Sequence, residues 1–389
     1  MSIANASVVL TNLGRNFVLV KIETDAGLVG WGDATLNGRE KAVEAALEHH
    51  VLPEVVDMDH HRIEDIWQML FRQTYWRGGP VLSSALSGVD MALWDLKGKA
   101  AGLPVYDLLG GRTREYASVY THCGATSVDK ILDNCSAASE EGIEHYRVNL
   151  HPETDAMSDF TYVTEYLDLD AMVDAVAKVR EALPGAELLV DIHSRADPTD
   201  AAHLAKQLEP INLFFLEDPV RPEHPNALRH VREHATTPIA MGELYTNPWE
   251  MAPLIERELV DFVRVDLGHV GGITAARKLA ALAEQHYIRT AFHGPPDLSP
   301  VGLAATVHLD LSIPNFGIQE YTDHEALFGD SIAAVFEGGI SFRDDVGGVD
   351  VPDDPGLGIT VDEDAARRYE YERSHLPMPR KSDGSVQDW

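Results

Sequence analysis

The chain has 389 residues, 44% of them hydrophobic, with 31 Lys and Arg against 63 Asp and Glu and a formal charge of −32. That length implies about two domains and the apolar share excludes global disorder, while so negative a field excludes nucleic acid and anionic membranes as partners. The acid is spread along the chain and only nine lysines stand beside 22 arginines, the composition of a protein kept soluble in high salt, so a halophilic source is expected.

The N-terminal "MSIANASVVLTNLGRN" has no basic start and no signal-type apolar core, and no apolar run reaches bilayer length; a cytoplasmic location is the expectation. Residues 6–36 alternate apolar and polar positions, and Asp25-Ala26-Gly27 marks a turn, which together predict an antiparallel meander. Residues 39–110 carry helical periodicity, ended by Gly102 and Pro104. From about 115 to 325 short apolar strands alternate with amphipathic helices some eight times: "YASVYTH", "HYRVNL", "ELLVDIH", "LFFLEDP", "PIAMGE", "FVRVDL", "RTAFHG" and "NFGIQEY". Parallel strands joined by crossover helices follow, and eight units fit a closed (β/α) barrel. The rival, an open doubly wound sheet, usually has a Gly-rich turn after its first strand, and none is present. Cys123 and Cys135 are too few for a disulfide framework or a zinc cluster and read as buried, inert thiols. The fold expected is therefore α/β, a modified TIM barrel at 114–329 with an α+β capping domain at 1–113, completed by the short, turn-rich segment 330–389.

In such barrels the strand C-termini carry the chemistry. Asp191, Glu217 and Glu243 close three successive strand segments, each 26 residues after the one before. Three carboxylates at one height repel unless a cation joins them, and all-oxygen ligation fits Mg²⁺. His193 follows Asp191 by two residues and, as a strand residue, would face the same cavity. Asp266 and His293 end the sixth and seventh strands and make an acid–imidazole pair suited to a general base. Glu320, on the eighth, would hydrogen-bond a substrate hydroxyl; Arg147, on the second, would meet a carboxylate. A divalent metal between two imidazoles suggests abstraction of an α-proton to give a metal-stabilised enediolate. Loss of the β-hydroxyl would then complete dehydration of a 2,3-dihydroxy acid to a 2-keto-3-deoxy acid; proton return to carbon would give racemisation instead.

With these residues the chain resembles the enolase superfamily, in its mandelate racemase-like branch. "MALWDLKGKAAGLPVYDLLGG" is similar to that branch's helix-to-barrel junction, and "VDIHSR", "FFLEDPV", "GELYTNPWE", "HVGGIT", "HGPPDLSP" and "PNFGIQEY" look like the mannonate dehydratase and starvation-sensing group of sugar-acid dehydratases. The resemblance implies that Asp191, Glu217 and Glu243 hold Mg²⁺ and that His193 is the acid. It also implies that Arg147, His293 and Glu320 line the site, that Asn37 and His122 contact substrate, and that Trp76 closes the pocket from above. It further implies a small sugar-acid substrate and assembly into a homo-oligomer. Two departures matter. Efficient mannonate dehydratases carry a longer loop after the second strand with a Tyr base, whereas here the loop "HPETDAMSDFTY" is short and Tyr162 is the candidate; and Asp266 stands where that group has Thr, as in the Asp–His pair of galactonate dehydratase. The departures shift the expected base to His293, with Tyr162 the other candidate, and turn the expected substrate from mannonate toward gluconate or another hexonate. A racemase or epimerase, or a metal-binding relative with little turnover and a regulatory role, are the alternatives.

Overall fold

The computed structural model describes residues 1–151, 168–373, 380, 383–386 and 388. Strands β1 (Ile3–Asn12), β2 (Asn16–Thr24) and β3 (Val29–Asp33) form the expected antiparallel meander in that order. Gly27 takes φ 80° in the turn before β3, and its N–H donates to the Thr24 carbonyl at 2.9 Å. The helix Pro80–Ala101 lies on this sheet and stops at Gly102, whose left-handed φ of 68° terminates it. Contact is close because β3 presents Gly30 and Gly32: a Cβ at either position would run into the carbonyl of Ala92 or Gly88.

The same helix ties the cap to the barrel. Trp94 Nε1 donates to Thr274 Oγ1 at 2.9 Å, and the Thr274 N–H donates to Asp90 Oδ2 at 2.9 Å. From the neighbouring helix Ile63–Arg72, Trp67 Nε1 donates to the Gly271 carbonyl at 2.7 Å. Asp90 is buried and its Oδ1 has no hydrogen-bond partner among the described residues; burial pushes its carboxyl up to about 7 from an ordinary 3.8. A carboxyl raised in the fold favours the protonated native state, so its contribution to stability is complete below pH 3.8 and is lost as pH climbs through 7. Asp90→Asn is therefore expected to unfold at higher temperature than the wild type at pH 8 and at a nearly equal temperature at pH 4. Calorimetry across that range reads the difference, and parallel curves for the two proteins would rule the effect out.

Eight parallel strands make the barrel: β4 (Ala117–His122), β5 (His145–Arg147), β6 (Glu187–Asp191), β7 (Phe215–Glu217), β8 (Ile239–Met241), β9 (Phe262–Val263), β10 (Arg289–Thr290) and β11 (Gln319–Glu320). Each pairs with the next from β4 to β10. The ring closes where Thr290 bridges Phe316 and β11 pairs with β4. Seven main helices lie between successive strands, from Val128–Glu140 to Pro300–Ser312, giving a (β/α)7β barrel. Tyr120, Leu189, Phe215, Ala240, Phe262, Ala291 and Ile318 fill its axis as one fully buried cluster. The larger core lies outside the ring, between strands and helices.

The sequence places the segment after residue 330 on the first part of the chain, and it does so in part. Thr11 Oγ1 donates to the Ala366 carbonyl, Asn16 Nδ2 to the Glu372 carbonyl, and the Val105 N–H to the Gly356 carbonyl. The hairpin Ser341–Arg343/Gly348–Asp350 goes elsewhere: it pairs antiparallel with β4 through Gly348 and Val349, because the first half of β4 extends beyond its parallel neighbours and offers free backbone groups. Cys123 and Cys135 are free and buried, as expected.

Candidate active site

Alternation along a strand builds the site directly. Each residue of the axial apolar cluster points inward, so the residue two positions later points inward one level higher. Tyr120 is followed by His122, Leu189 by Asp191, Phe215 by Glu217, Phe262 by Arg264, Ala291 by His293 and Ile318 by Glu320. A dry plug thus supports a layer of ionisable groups at the C-terminal mouth.

Asp191 and Glu217 are direct partners in the β6–β7 register, and both are buried. Arg147 stands among the carboxylates, its Nη1 3.1 Å from Asp191 Oδ2, 3.1 Å from Glu217 Oε1 and 3.2 Å from Glu320 Oε1. Glu243 lies just past β8, beyond Gly242, and is partly exposed. Glu217, Asp218 and Glu243 offer oxygens within 4.8 Å of one another. Asp191 is not in that tight set; its Oδ2 is 2.8 Å from His193 Nε2. Asp218, the neighbour of Glu217, reaches the cluster because it adopts φ 40°, a strained conformation for a non-glycine residue.

Positive charge is short here. Burial pushes Glu217 up to about 8, with Asp191 adding to the shift and Arg264 opposing it. Burial also raises Asp218 well above the usual carboxylate range, and Glu243 raises it further. Asp218 Oδ2 is buried without a hydrogen-bond partner among the described residues, whereas Asp191 Oδ2 has His193 Nε2 and Arg147 Nη1 at 2.8 and 3.1 Å. Crowded carboxylate oxygens, one of them without a donor among the described residues, fit a hard divalent cation.

His193 is not a strand residue, contrary to expectation. β6 ends at Asp191, whose Oδ1 accepts the His193 N–H at 2.7 Å and forces a tight turn; His193 and Ser194 then take φ 47° and 57°. The imidazole still meets Asp191 across that turn. Burial opposes its charge, but Asp191 outweighs burial and raises its pKa.

In a ring of eight strands β10 stands four away from β6, so His293 faces the His193 side across the axis. Its Nδ1 is 2.6 Å from Asp266 Oδ2, and its Nε2 looks toward Glu243 Oε2 at 3.6 Å and Asp297 Oδ2 at 3.5 Å. Asp266 also accepts the Gly268 N–H at 2.6 Å, which fixes the carboxylate against the short helix Leu267–Val270. Burial disfavours a charged His293, yet Glu243 and the bonds to Asp266 and Asp297 hold its pKa well above 6.5. Burial likewise opposes charge on Asp297, but His293 and Arg15 hold its carboxyl down at about 2. Arg15, from the turn between β1 and β2, pairs with the other oxygen of Asp297, so a cap residue reaches the His293 neighbourhood.

Of the other residues expected in the site, His122 Nε2 lies 2.7 Å from Glu320 Oε1, and its Nδ1 3.3 Å from Arg147 Nη2. Glu320 is held by both arginines rather than left open. Asn37 follows Thr35, whose carbonyl meets His269 Nε2 at 3.1 Å, and this leads its loop to the barrel. Trp76 is 82% exposed with its ring on Tyr75, in a segment that runs into Gly78 and Gly79, both left-handed. Tyr162 and its loop lie outside the described residues. Arg264, fully buried, was not anticipated; its Nη2 is 2.7 Å from Glu217 Oε1 and 2.8 Å from Glu320 Oε2. The signal was in "FVRVD", where an arginine shares the inward row with Phe262 and Asp266. Asp297 and Arg15 join only through the tertiary structure and had no such signal.

Known proteins place this arrangement. Residues 130–365 match the enolase C-terminal domain-like family, and residues 5–110 match the mandelate racemase / muconate lactonizing enzyme N-terminal domain. A D-galactonate dehydratase family member, RspA, of Halomonas elongata is 43% identical over the whole of both chains. A D-mannonate dehydratase of a Sphingomonas species is 43% identical over 100% of this chain and 99% of its own. Among solved structures, an enolase from Pantoea ananatis with bound D-gluconate and Mg superposes with a TM-score of 0.92 at 39% identity, covering 99% of each chain. The chain belongs to the enolase superfamily, in its mandelate racemase / muconate lactonizing enzyme branch.

Proposed function

We propose that this protein is a Mg²⁺-dependent sugar-acid dehydratase acting on a six-carbon aldonate such as D-mannonate or D-gluconate. The observation that carries the reading is the pair of imidazoles beyond the ends of two facing strands, His293 locked to Asp266 at 2.6 Å and His193 held by Asp191 at 2.8 Å, beside the carboxylate cluster. Full-length relatives named D-mannonate dehydratase and D-galactonate dehydratase family member support the reaction class, and the D-gluconate and Mg of the Pantoea structure support the substrate class and the ion.

Asp191, Glu217 and Glu243 would hold Mg²⁺, with Asp218 beside them. When bound, the ion offsets negative charge that builds on the substrate carboxylate as the α-proton leaves. His293 accepts the proton from C2, and Asp266 fixes its tautomer and steadies the cation formed. His193 gives a proton to the departing 3-hydroxyl, so the proton it loses and the hydroxyl leave together as water. Enol-to-keto tautomerisation then yields the 2-keto-3-deoxy acid. Arg147, His122, Glu320 and Asn37 position the hydroxyls and carboxylate of the substrate. Assembly into a homo-oligomer is part of this reading; the exposed Tyr75 and Trp76 offer large apolar faces for it.

A panel of aldonates incubated with protein and Mg²⁺ is expected to release 2-keto-3-deoxy acid from at least one member, with the activity lost on adding EDTA and restored by Mg²⁺. Absence of product from every aldonate, with metal binding demonstrated by calorimetry, would sink the proposal. Two facing imidazoles also suit a racemase or epimerase, in which case solvent deuterium enters C2 without formation of keto acid.

Arg15 links the cap to this chemistry through Asp297. Arg15→Met is expected to lower kcat about tenfold or more, as the Asp297 carboxylate beside His293 Nε2 loses its charge-assisted partner. Arg15→Lys should recover part of the loss. An unchanged kcat together with a lowered melting temperature would assign Arg15 a purely structural role.

A further inference from the structure

A hollow of about 570 Å³ lies at the seam of cap and barrel and shares no lining residue with the mouth. Its walls are the segment His61–Asp65 and the helix Pro80–Ala101 on the cap side, and the helix Gly272–Gln285 on the barrel side. Four cations line it, Arg62, Lys97, Arg277 and Lys278, on a chain whose net charge is −32. Two of them are answered: Arg62 by Asp65 at 3.1 Å, and Lys278 by both oxygens of Glu64 at 2.6 and 2.7 Å. The other two face no carboxylate at ion-pair distance among the described residues. Lys97 Nζ donates to the His61 carbonyl at 3.2 Å, which leaves its charge uncancelled, and Arg277 has neither a hydrogen bond nor an ion pair there.

Two cations without a carboxylate partner thus line one hollow, Lys97 half-buried and Arg277 exposed, on a chain where acids outnumber bases two to one. The two come from different parts of the fold, Lys97 from the cap helix and Arg277 from the barrel helix, and both line one space large enough for a small molecule. Trp94, also in the lining, supplies an apolar surface. A planar guanidinium fork and an ammonium lining one hollow suit a tetrahedral dianion better than a single carboxylate, since three exposed oxygens can serve both donors. We infer that this hollow binds the phosphoryl group of a small molecule or of free phosphate, and so bridges cap and barrel with one anion. The inference is independent of the reaction at the mouth.

The test uses the full-length protein at fixed ionic strength in potassium chloride, with inorganic phosphate and glycerol 3-phosphate as probes and glycerol as the control. Both phosphoryl probes are expected to bind saturably at one site by calorimetry and to raise the melting temperature, whereas glycerol does neither. Lys97→Gln and Arg277→Gln are each expected to weaken binding about tenfold or more, and the double variant to abolish it. Lys97→Arg, which keeps the charge, should retain binding, and aldonate turnover without phosphate should match wild type in every variant. Tighter binding of the ester identifies a phosphorylated metabolite as ligand; equal or tighter binding of inorganic phosphate identifies the free ion. A response that does not saturate, or a double variant that binds phosphate as well as wild type, overturns the inference.

Discussion

Arg264→Met is expected to destabilise the fold by about 3–5 kcal/mol, the usual consequence of removing one partner from a buried ion pair. Arg264 is wholly buried, and one of its nitrogens serves Glu217 at 2.7 Å and Glu320 at 2.8 Å. Methionine fills much of the volume but leaves two buried carboxylates sharing only Arg147. Burial already pushes Glu217 up to about 8 with Arg264 in place, so the variant should bind a proton there through neutral pH. Urea unfolding at pH 7.5 measures the loss. Arg264→Lys should regain part of it, since a single ammonium can stand where the shared Nη2 stands. A loss under about 1 kcal/mol would mean that the desolvation of the guanidinium nearly cancels its attraction to the two acids.

His293→Asn is expected to lower kcat by about 10²–10⁴-fold, the range over which a positioned general base contributes. Asparagine can place an amide where Nδ1 now meets Asp266 at 2.6 Å, so the loop geometry survives while the proton acceptor on the other nitrogen is gone. The decisive readout is exchange of the substrate C2 hydrogen with deuterated solvent, which should fall with kcat. If exchange continued at the wild-type rate while dehydration stopped, another group would be taking the proton, and His293 would belong to a later step.

The barrel was legible because its signal is repeated. Eight short apolar runs separated by amphipathic helices leave few topologies, and the 26-residue spacing of Asp191, Glu217 and Glu243 places three acids on neighbouring strand ends. The strands themselves are shorter than the apolar runs suggest; β9 and β10 keep two ladder residues each. Hence Asp266 caps a helix instead of ending a strand, and His193 occupies a left-handed turn that alternation cannot describe. Arg264 escaped notice because a buried arginine is rare and its partners lie 47 positions before and 56 after it in the chain. Asp218 sat beside Glu217 in plain view, but period-two reasoning turns a neighbour outward, and only its positive φ brings it back.

The apolar stack beneath the acidic layer sets the traffic of the reaction. Seven side chains, none measurably exposed, seal the lower end of the cylinder. On the proposed reading, substrate, released water and product therefore pass through the C-terminal mouth, on the side where the Arg15 turn approaches. Entry and exit share that doorway, so a molecule of product that lingers there shuts out the next substrate, and inhibition by the keto acid is expected to be competitive.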